Sequence, residues 1–437
     1  MTLTRDRRFL VGFATLAFFS ALAPDAWRNT IGWYGYGVIA VGLFATSVAL
    51  LIRRRSEWRA DVLPWPLLAF SVLCLVSVFW SNYPAATALA WLLQLITTTV
   101  GVAAAVLLTG SELIRALGRA LRVILALSVV FELIVAVFVR APVLPVWVTG
   151  SDRVDPPLLL FWSRNLLFEG GPIQGLLGSS SLLSMVALLG VIVFAVQTVS
   201  GRVGRASGVG WMLLGVALIA LTRSATIVIA SAAVALVLGL VLLVRWATSR
   251  GRRIVLAASL AAAIAVIVAA STVVRSEVLG LLGKSDTLTN RAEIWDAVIG
   301  LAEQRPALGW GWISFWAPWV EPYRDLVSNN GVIQLHAHNA WLDVWVQLGI
   351  VGLVVFGALV ATSTIRAFLL AVSRVGVTTV SAGRFSALSI LPLLLLTALL
   401  VQSLAESRIL IEGGWLLLVA IAVTTKTGML GRPSEPS

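Results

Sequence analysis

The chain has 437 residues, of which 59% are hydrophobic and only 12% charged, with a net charge of +12 and a mean hydropathy of +0.97. About 20 apolar residues cross a bilayer core as a helix, and apolar runs of about that length recur from end to end, so the composition excludes an ordinary water-soluble domain and specifies an all-α polytopic membrane protein. The basic excess would suit nucleic acid, but in a membrane protein Lys and Arg mark cytoplasmic connections, and no nucleic-acid partner is expected.

Arg5, Arg7 and Arg8 precede the first apolar run, Phe9–Ala23. Ala21-Leu-Ala23 resembles a cleavage site, yet spans follow at once and an uncleaved first span is expected. The second run, Ile31–Ile52, ends at Arg53-Arg-Arg55. Val62–Trp80 and Ala85–Leu108, parted by Ser81-Asn-Tyr-Pro84, are the third and fourth. The single cysteine, Cys74, lies in the third run, so no intrachain disulfide can form. Arg115, Arg119 and Arg122 fall in the connection to the fifth run, Leu121–Val139, which carries Glu132 at its middle.

A polar, proline-containing loop over 140–172 holds Arg153 and Arg164 and leads into the sixth run, Ile173–Val199. Val209–Val244 would extend roughly 54 Å as one helix at about 1.5 Å per residue, far beyond a bilayer core of about 30 Å. It therefore reads as two spans folded back around Leu221-Thr-Arg-Ser-Ala225, with Arg223 at a buried tip. The ninth run is Ile254–Val274. A long polar segment, 275–339, separates it from the tenth, Ala340–Thr362; Ser386–Val401 and Gly414–Thr425 complete about twelve spans in one integral membrane domain, 1–437. Twelve spans put both termini on one side, and the short connections on that side gather most of the Lys and Arg. The positive-inside rule then makes both termini cytoplasmic in the plasma (inner) membrane and both long loops extracytoplasmic.

Charged residues at membrane depth are functional candidates by default. Arg223 is the clearest, against the alternative of a snorkelling turn residue; Glu132 is the second, against that of a structural partner for an arginine on a neighbouring span. In the long loop, Asn290-x-x-Glu293 reads as a capping box opening a helix from Arg291 to about Gln304. An arginine in the first turn of a helix opposes the dipole unless an anion is also there, so Arg291 marks either an anion site or a solvated surface. Trp295, Trp310, Trp312, Trp316 and Trp319 lie in this loop, where interfacial anchoring competes with stacking on sugars. Both histidines of the protein, His336 and His338, stand at the entrance to the tenth span. His338 could act as a general base; a metal site has only Asp343 as a nearby carboxylate, and none is expected.

Several ordered segments carry a resemblance: Phe79-Trp-Ser-Asn-Tyr-Pro84, Gln174-Gly-Leu-Leu-Gly178, Thr222-Arg-Ser224, Asn290-Arg-Ala-Glu-Ile-Trp295, Pro306-Ala-Leu-Gly-Trp-Gly311, His338-Asn-Ala-Trp-Leu342 and Gly349-Ile-Val-Gly352. Together, over roughly residues 60–415, they resemble the O-antigen ligase and polymerase superfamily of bacterial membrane glycosyltransferases. The resemblance implies a GT-C-like fold of about twelve spans, with short helices in its long external loop. It also implies a metal-independent, inverting enzyme without cofactor that moves a glycan from a polyprenyl-diphosphate carrier to an acceptor hydroxyl of a glycan or glycolipid. By position His338 matches the family's proposed base, and Arg223 and Arg291 its diphosphate-binding arginines. Arg164, Glu406 and Arg408 are weaker candidates for phosphate or acceptor contacts. Gly178-Ser-Ser-Ser181 departs from the many members that carry an asparagine there. A flippase for lipid-linked glycan, with the same arginines on the diphosphate but no need of a base, is the rival reading, and a non-catalytic assembly partner a third.

Overall fold

In the computed structural model of the chain, the described residues are 2–149, 156–247, 286–324, 326–329, 332–373 and 386–429, with scattered positions between 249 and 259. Helices α1 (Thr2–Leu22) and α2 (Pro24–Arg53) meet at Ala23, where Pro24 occupies the first turn and so costs no hydrogen bond. α2 starts before the apolar run, and Gly32, at φ 76°, kinks it between its polar opening, Asp25 to Asn29, and the span. α3 (Trp65–Val76) and α4 (Pro84–Leu107) follow.

α5 (Gly110–Ile134) corrects the expected start of the fifth span. Thr109 and Glu112 form a capping box, with Thr109 N–H donating to Glu112 Oε2 at 2.9 Å, so Arg115, Arg119 and Arg122 lie on a helix rather than in a connection. α6 (Ser180–Val199), α7 (Arg205–Thr222) and α8 (Ala225–Trp246) come next. The fold-back between α7 and α8 is as expected, and Arg223 makes it with φ 49° and ψ 40°. Most of the ninth span lies outside the described residues.

α9 (Asp286–Gln304) occupies the long loop; α10 (Ala340–Val372), α11 (Leu391–Ser403) and α12 (Glu412–Met429) complete the described helices. Seven of these helices are long and apolar enough to cross a membrane, and two shorter apolar helices accompany them. The only strands among the described residues are an antiparallel two-residue pair, Ser328–Asn329 with Val332–Ile333. α12 is wedged between α4 and α10, where Gly101 on α4 lets it approach closely to Leu416 and Val419. α1 lies on α5, α3 on α10, and α11 between α6 and α8.

The long loop is docked on the bundle by backbone. Gly349 in α10 takes φ 65° and ψ −164°, which breaks the helical ladder. The freed carbonyls of Val346 and Gln347 accept from the N–H groups of Trp310 (3.0 Å) and Gly311 (2.8 Å), while Ile350 and Val351 donate to Pro306 (2.8 Å) and Ala307 (3.2 Å). The 306–311 and 349–352 motifs are thus two halves of one joint. Above it, Trp316, Tyr323, Val298, Leu301 and Tyr83 form a second apolar core.

Two expectations fail in this loop. Asn290 is no N-cap: α9 is already helical at Asp286, since an asparagine inside a helix costs only a few tenths of a kcal/mol. Arg291 consequently lies beyond the first turn and faces no free helix dipole. The tryptophans also divide: Trp312 and Trp316 are buried as core, whereas Trp319 is 71% exposed.

Candidate functional site

His338 belongs to the turn that feeds α10. It holds a left-handed backbone (φ 49°), unusual for a residue with a Cβ, and the turn is fixed from three sides. Asn339 caps α10 by accepting from Trp341 N at 3.0 Å. Trp295 Nε1 donates to the Ala337 carbonyl at 3.0 Å, and Asp343, fully buried, accepts from Ala337 N at 3.1 Å. Asp343 also accepts the hydroxyl proton of Ser407, so one carboxylate braces both the histidine turn and the segment that follows α11.

That second segment supplies Glu406. Its Oε2 lies 3.1 Å from His338 Nδ1, and its Oε1 accepts from Arg291 Nη2 at 3.2 Å and from Ser181 Oγ at 3.4 Å. Arg291 and Trp295 are one turn apart on α9, so both reach the histidine turn from the same face. Burial pushes the Glu406 carboxyl up, but His338 and Arg291 outweigh it and hold the group well below the usual carboxylate range. An ionised Glu406 selects the His338 tautomer with the proton on Nδ1, leaving Nε2 as an acceptor. The side-chain amide of Gln334 sits 3.2 Å from Nε2, and its NH₂ is the group that this tautomer can accept from.

His336 stacks 4.0 Å from His338, centroid to centroid, and its Nδ1 accepts the His338 backbone N–H at 3.1 Å. Burial first, and then His338, hold its pKa well below the ordinary histidine value, so it is neutral. His336, His338 and Glu406 bring potential ligand atoms within 4.8 Å of one another, a trio able in principle to hold a divalent ion. Arg291, paired with Glu406, and Arg408, paired with Glu412, set two guanidinium groups beside this trio, where they disfavour a further cation. Nη1 of Arg291 is buried without a hydrogen-bond partner among the described residues, a donor left for an anionic ligand.

The other candidates take different places. Arg223 stands at an exposed tip, not a buried one, with its guanidinium 3.6 Å from where a Cβ on Gly170 would sit. The tip is held against the 156–172 loop by Ile173 N donating to Leu221 O at 3.3 Å. Arg164 Nε donates to Leu158 O at 3.1 Å within that loop. Arg408 pairs with Glu412 (2.7 Å), which also binds Arg28 (2.9 Å), and it stacks over Phe315, itself 5.7 Å from the His336 ring. Glu132 meets no arginine among the described residues; it is a latch that accepts from Ser163 Oγ (2.9 Å), Gln174 N (3.0 Å) and Gly175 N (2.6 Å).

Glu406, a weaker candidate for phosphate or acceptor contact by sequence, lies against His338 and Arg291 in the structure. The segment Gly178-Ser-Ser-Ser181 supplies Ser181 to the same carboxylate. Sequence reading missed both, along with Gln334 and the brace by Asp343; the available signal was a lone acid closing an apolar run at Ala405-Glu-Ser-Arg408.

Residues 208–357 match the family model described as O-antigen ligase, a stretch that includes Arg223, Arg291 and His338. Over 206 residues the chain is 30% identical to the exopolysaccharide production protein ExoQ of Rhizobium meliloti (strain 1021). That alignment covers 43% of this chain and 45% of the relative, so it spans less than half of either.

Proposed function

We propose that this chain belongs to the O-antigen ligase and polymerase family and serves cell-surface polysaccharide biosynthesis as a membrane glycosyltransferase. It moves a glycan from a polyprenyl-diphosphate carrier to an acceptor hydroxyl on the extracytoplasmic face of the plasma membrane, with both chain termini in the cytoplasm. The observation that carries this reading is the His338–Glu406–Arg291 cluster, a base oriented by a carboxylate beside an arginine with a free buried donor.

In the reaction, His338 Nε2 takes the acceptor hydroxyl proton as the oxygen attacks the anomeric carbon. The bond from that carbon to the carrier diphosphate breaks, and the diphosphate leaves with the electron pair. A single displacement of this kind inverts the anomeric centre. Arg291 and Arg223 stabilise the charge developing on the leaving group in place of a metal ion. Glu406 stays ionised and stabilises the imidazolium that forms, as the buried aspartate does in hydrolase triads. A flippase would have no use for the oriented base.

The test is transfer by the purified protein from a polyprenyl-diphosphate oligosaccharide to candidate acceptors in the presence of a chelator. Transfer is expected in the wild type and its loss in His338→Ala. Undiminished transfer in that variant, or lipid translocation in liposomes without any transfer, overturns the assignment.

A further inference from the structure

At the pole opposite the histidines lies a cavity of about 780 Å³ that the proposed chemistry does not use. Its walls are α1, the α4–α5 corner, α11 and α12. On α1 the cavity touches Arg7 and Phe18, and on α12 its lining runs from Gly428 to Leu417. Each stretch rises roughly 16 Å at about 1.5 Å per residue, so two helices independently give the same depth. That is about half of a hydrocarbon core of about 30 Å, the thickness of one leaflet.

The lining is sorted by depth. Its charged members, Arg7, Glu57 and Arg202, come from the ends of helices and from connections at the mouth; further in, Leu117, Leu395 and Leu417 are apolar and buried. A soluble metabolite would need polar groups converging at the bottom of its pocket, and this shaft has none. A lipid needs what is present, a leaflet-deep apolar channel under a basic rim. Glu57 is already paired with Arg54 and Arg7 with Glu112, whereas Arg202 is exposed and forms no ion pair among the described residues.

We propose that this cavity binds one anionic phospholipid, its phosphate at the Arg202 and Arg7 rim and one acyl chain in the shaft. Naming the leaflet as cytoplasmic rests on the orientation proposed above; the site itself does not. The bound chain fills the space between α1, α5, α11 and α12 and so ties the two ends of the polypeptide to the middle of the bundle.

The test is native mass spectrometry of the delipidated full-length protein titrated with phosphatidylglycerol or phosphatidylcholine of identical chains. The wild type is expected to retain one phosphatidylglycerol in preference. Ala420→Trp, which fills the shaft, is expected to retain none. Arg202→Gln, at an exposed position that leaves folding intact, is expected to lower the preference about fivefold, the effect of one arginine at an anionic lipid surface. Equal retention of both lipids by the wild type and Arg202→Gln, or unchanged retention in Ala420→Trp, overturns the proposal. So does displacement of phosphatidylglycerol by polyprenyl phosphate, which would make the cavity a substrate channel. Glycan transfer measured on the same samples reports separately on the function proposed above, because lipid retention does not depend on it.

Discussion

Glu406 Oε2 lies 3.1 Å from His338 Nδ1, although the two residues are 68 positions apart and belong to the ends of different helices. The pair makes the histidine a directed group: the carboxylate takes one ring nitrogen, and the other, which the Gln334 amide contacts, is where a substrate hydroxyl would replace that amide. Glu406→Gln keeps the shape and removes the charge. It is expected to lower the transfer rate about 10²–10⁴-fold, the range of general-base catalysis, with little change in KM. The double variant with His338→Ala is expected to lose little more than either alone, since residues acting as a unit are not additive. Steady-state kinetics of the four proteins checks this, and additive losses would separate the two roles.

The limits of the sequence follow from that pairing. Hydropathy reports the cost of placing each segment in lipid, a local quantity, so the spans and the fold-back at Arg223 were legible. Arg291 and His338 could be named because one lies in a motif and the other is scarce. Glu406 could not be paired with His338 from sequence, because their approach depends on how α10 and α11 pack and on the Asp343 brace. The helix start that Asn290 suggests does not place Arg291; its shared face with Trp295 does. Asparagine is common at caps and tolerated inside helices, so position alone does not decide between the two.

His336 contributes one part of the pH response of the site. Burial, with His338 beside it, holds its imidazole below the ordinary value. The unfolded chain takes up this proton near pH 6.5 and the folded protein resists it, so the unfolded state binds more protons and stability falls as pH drops through that value. His336→Gln is expected to flatten the decline between pH 7.5 and 5.5. Thermal unfolding in detergent across this range is the measurement, and equal slopes for the two proteins would rule the residue out.

The two arginines are expected to part company when activity and stability are measured together. Arg291 is bonded to Glu406 inside the site, so Arg291→Ala removes a donor to a buried carboxylate and is expected to cost about 1–3 kcal/mol of stability as well as transfer. Arg223 is at an exposed tip, where substitutions fall within about 0.5 kcal/mol, so Arg223→Ala is expected to lose transfer while unfolding like the wild type. Wild-type transfer by Arg223→Ala would remove it from the proposed diphosphate site.

The joint at Gly349 is where the loop, and with it Arg291, is held to the bundle. A Cβ there would overlap the Ala307 carbonyl, and φ 65° with ψ −164° is a region left essentially to glycine. Both effects act on the four backbone hydrogen bonds that seat residues 306–311. Gly349→Ala is therefore expected to destabilise by more than about 3 kcal/mol, from strain of about 1–3 kcal/mol and hydrogen bonds of about 1 kcal/mol each. Gly357, on the same helix with open space around it, is the control: Gly357→Ala is expected to be neutral or slightly stabilising, because alanine is the better helix former. Limited proteolysis should cut the 305–335 segment faster in Gly349→Ala alone. If both variants resist alike, the loop is held by its apolar core around Trp316 and Tyr323 and not by the break in α10.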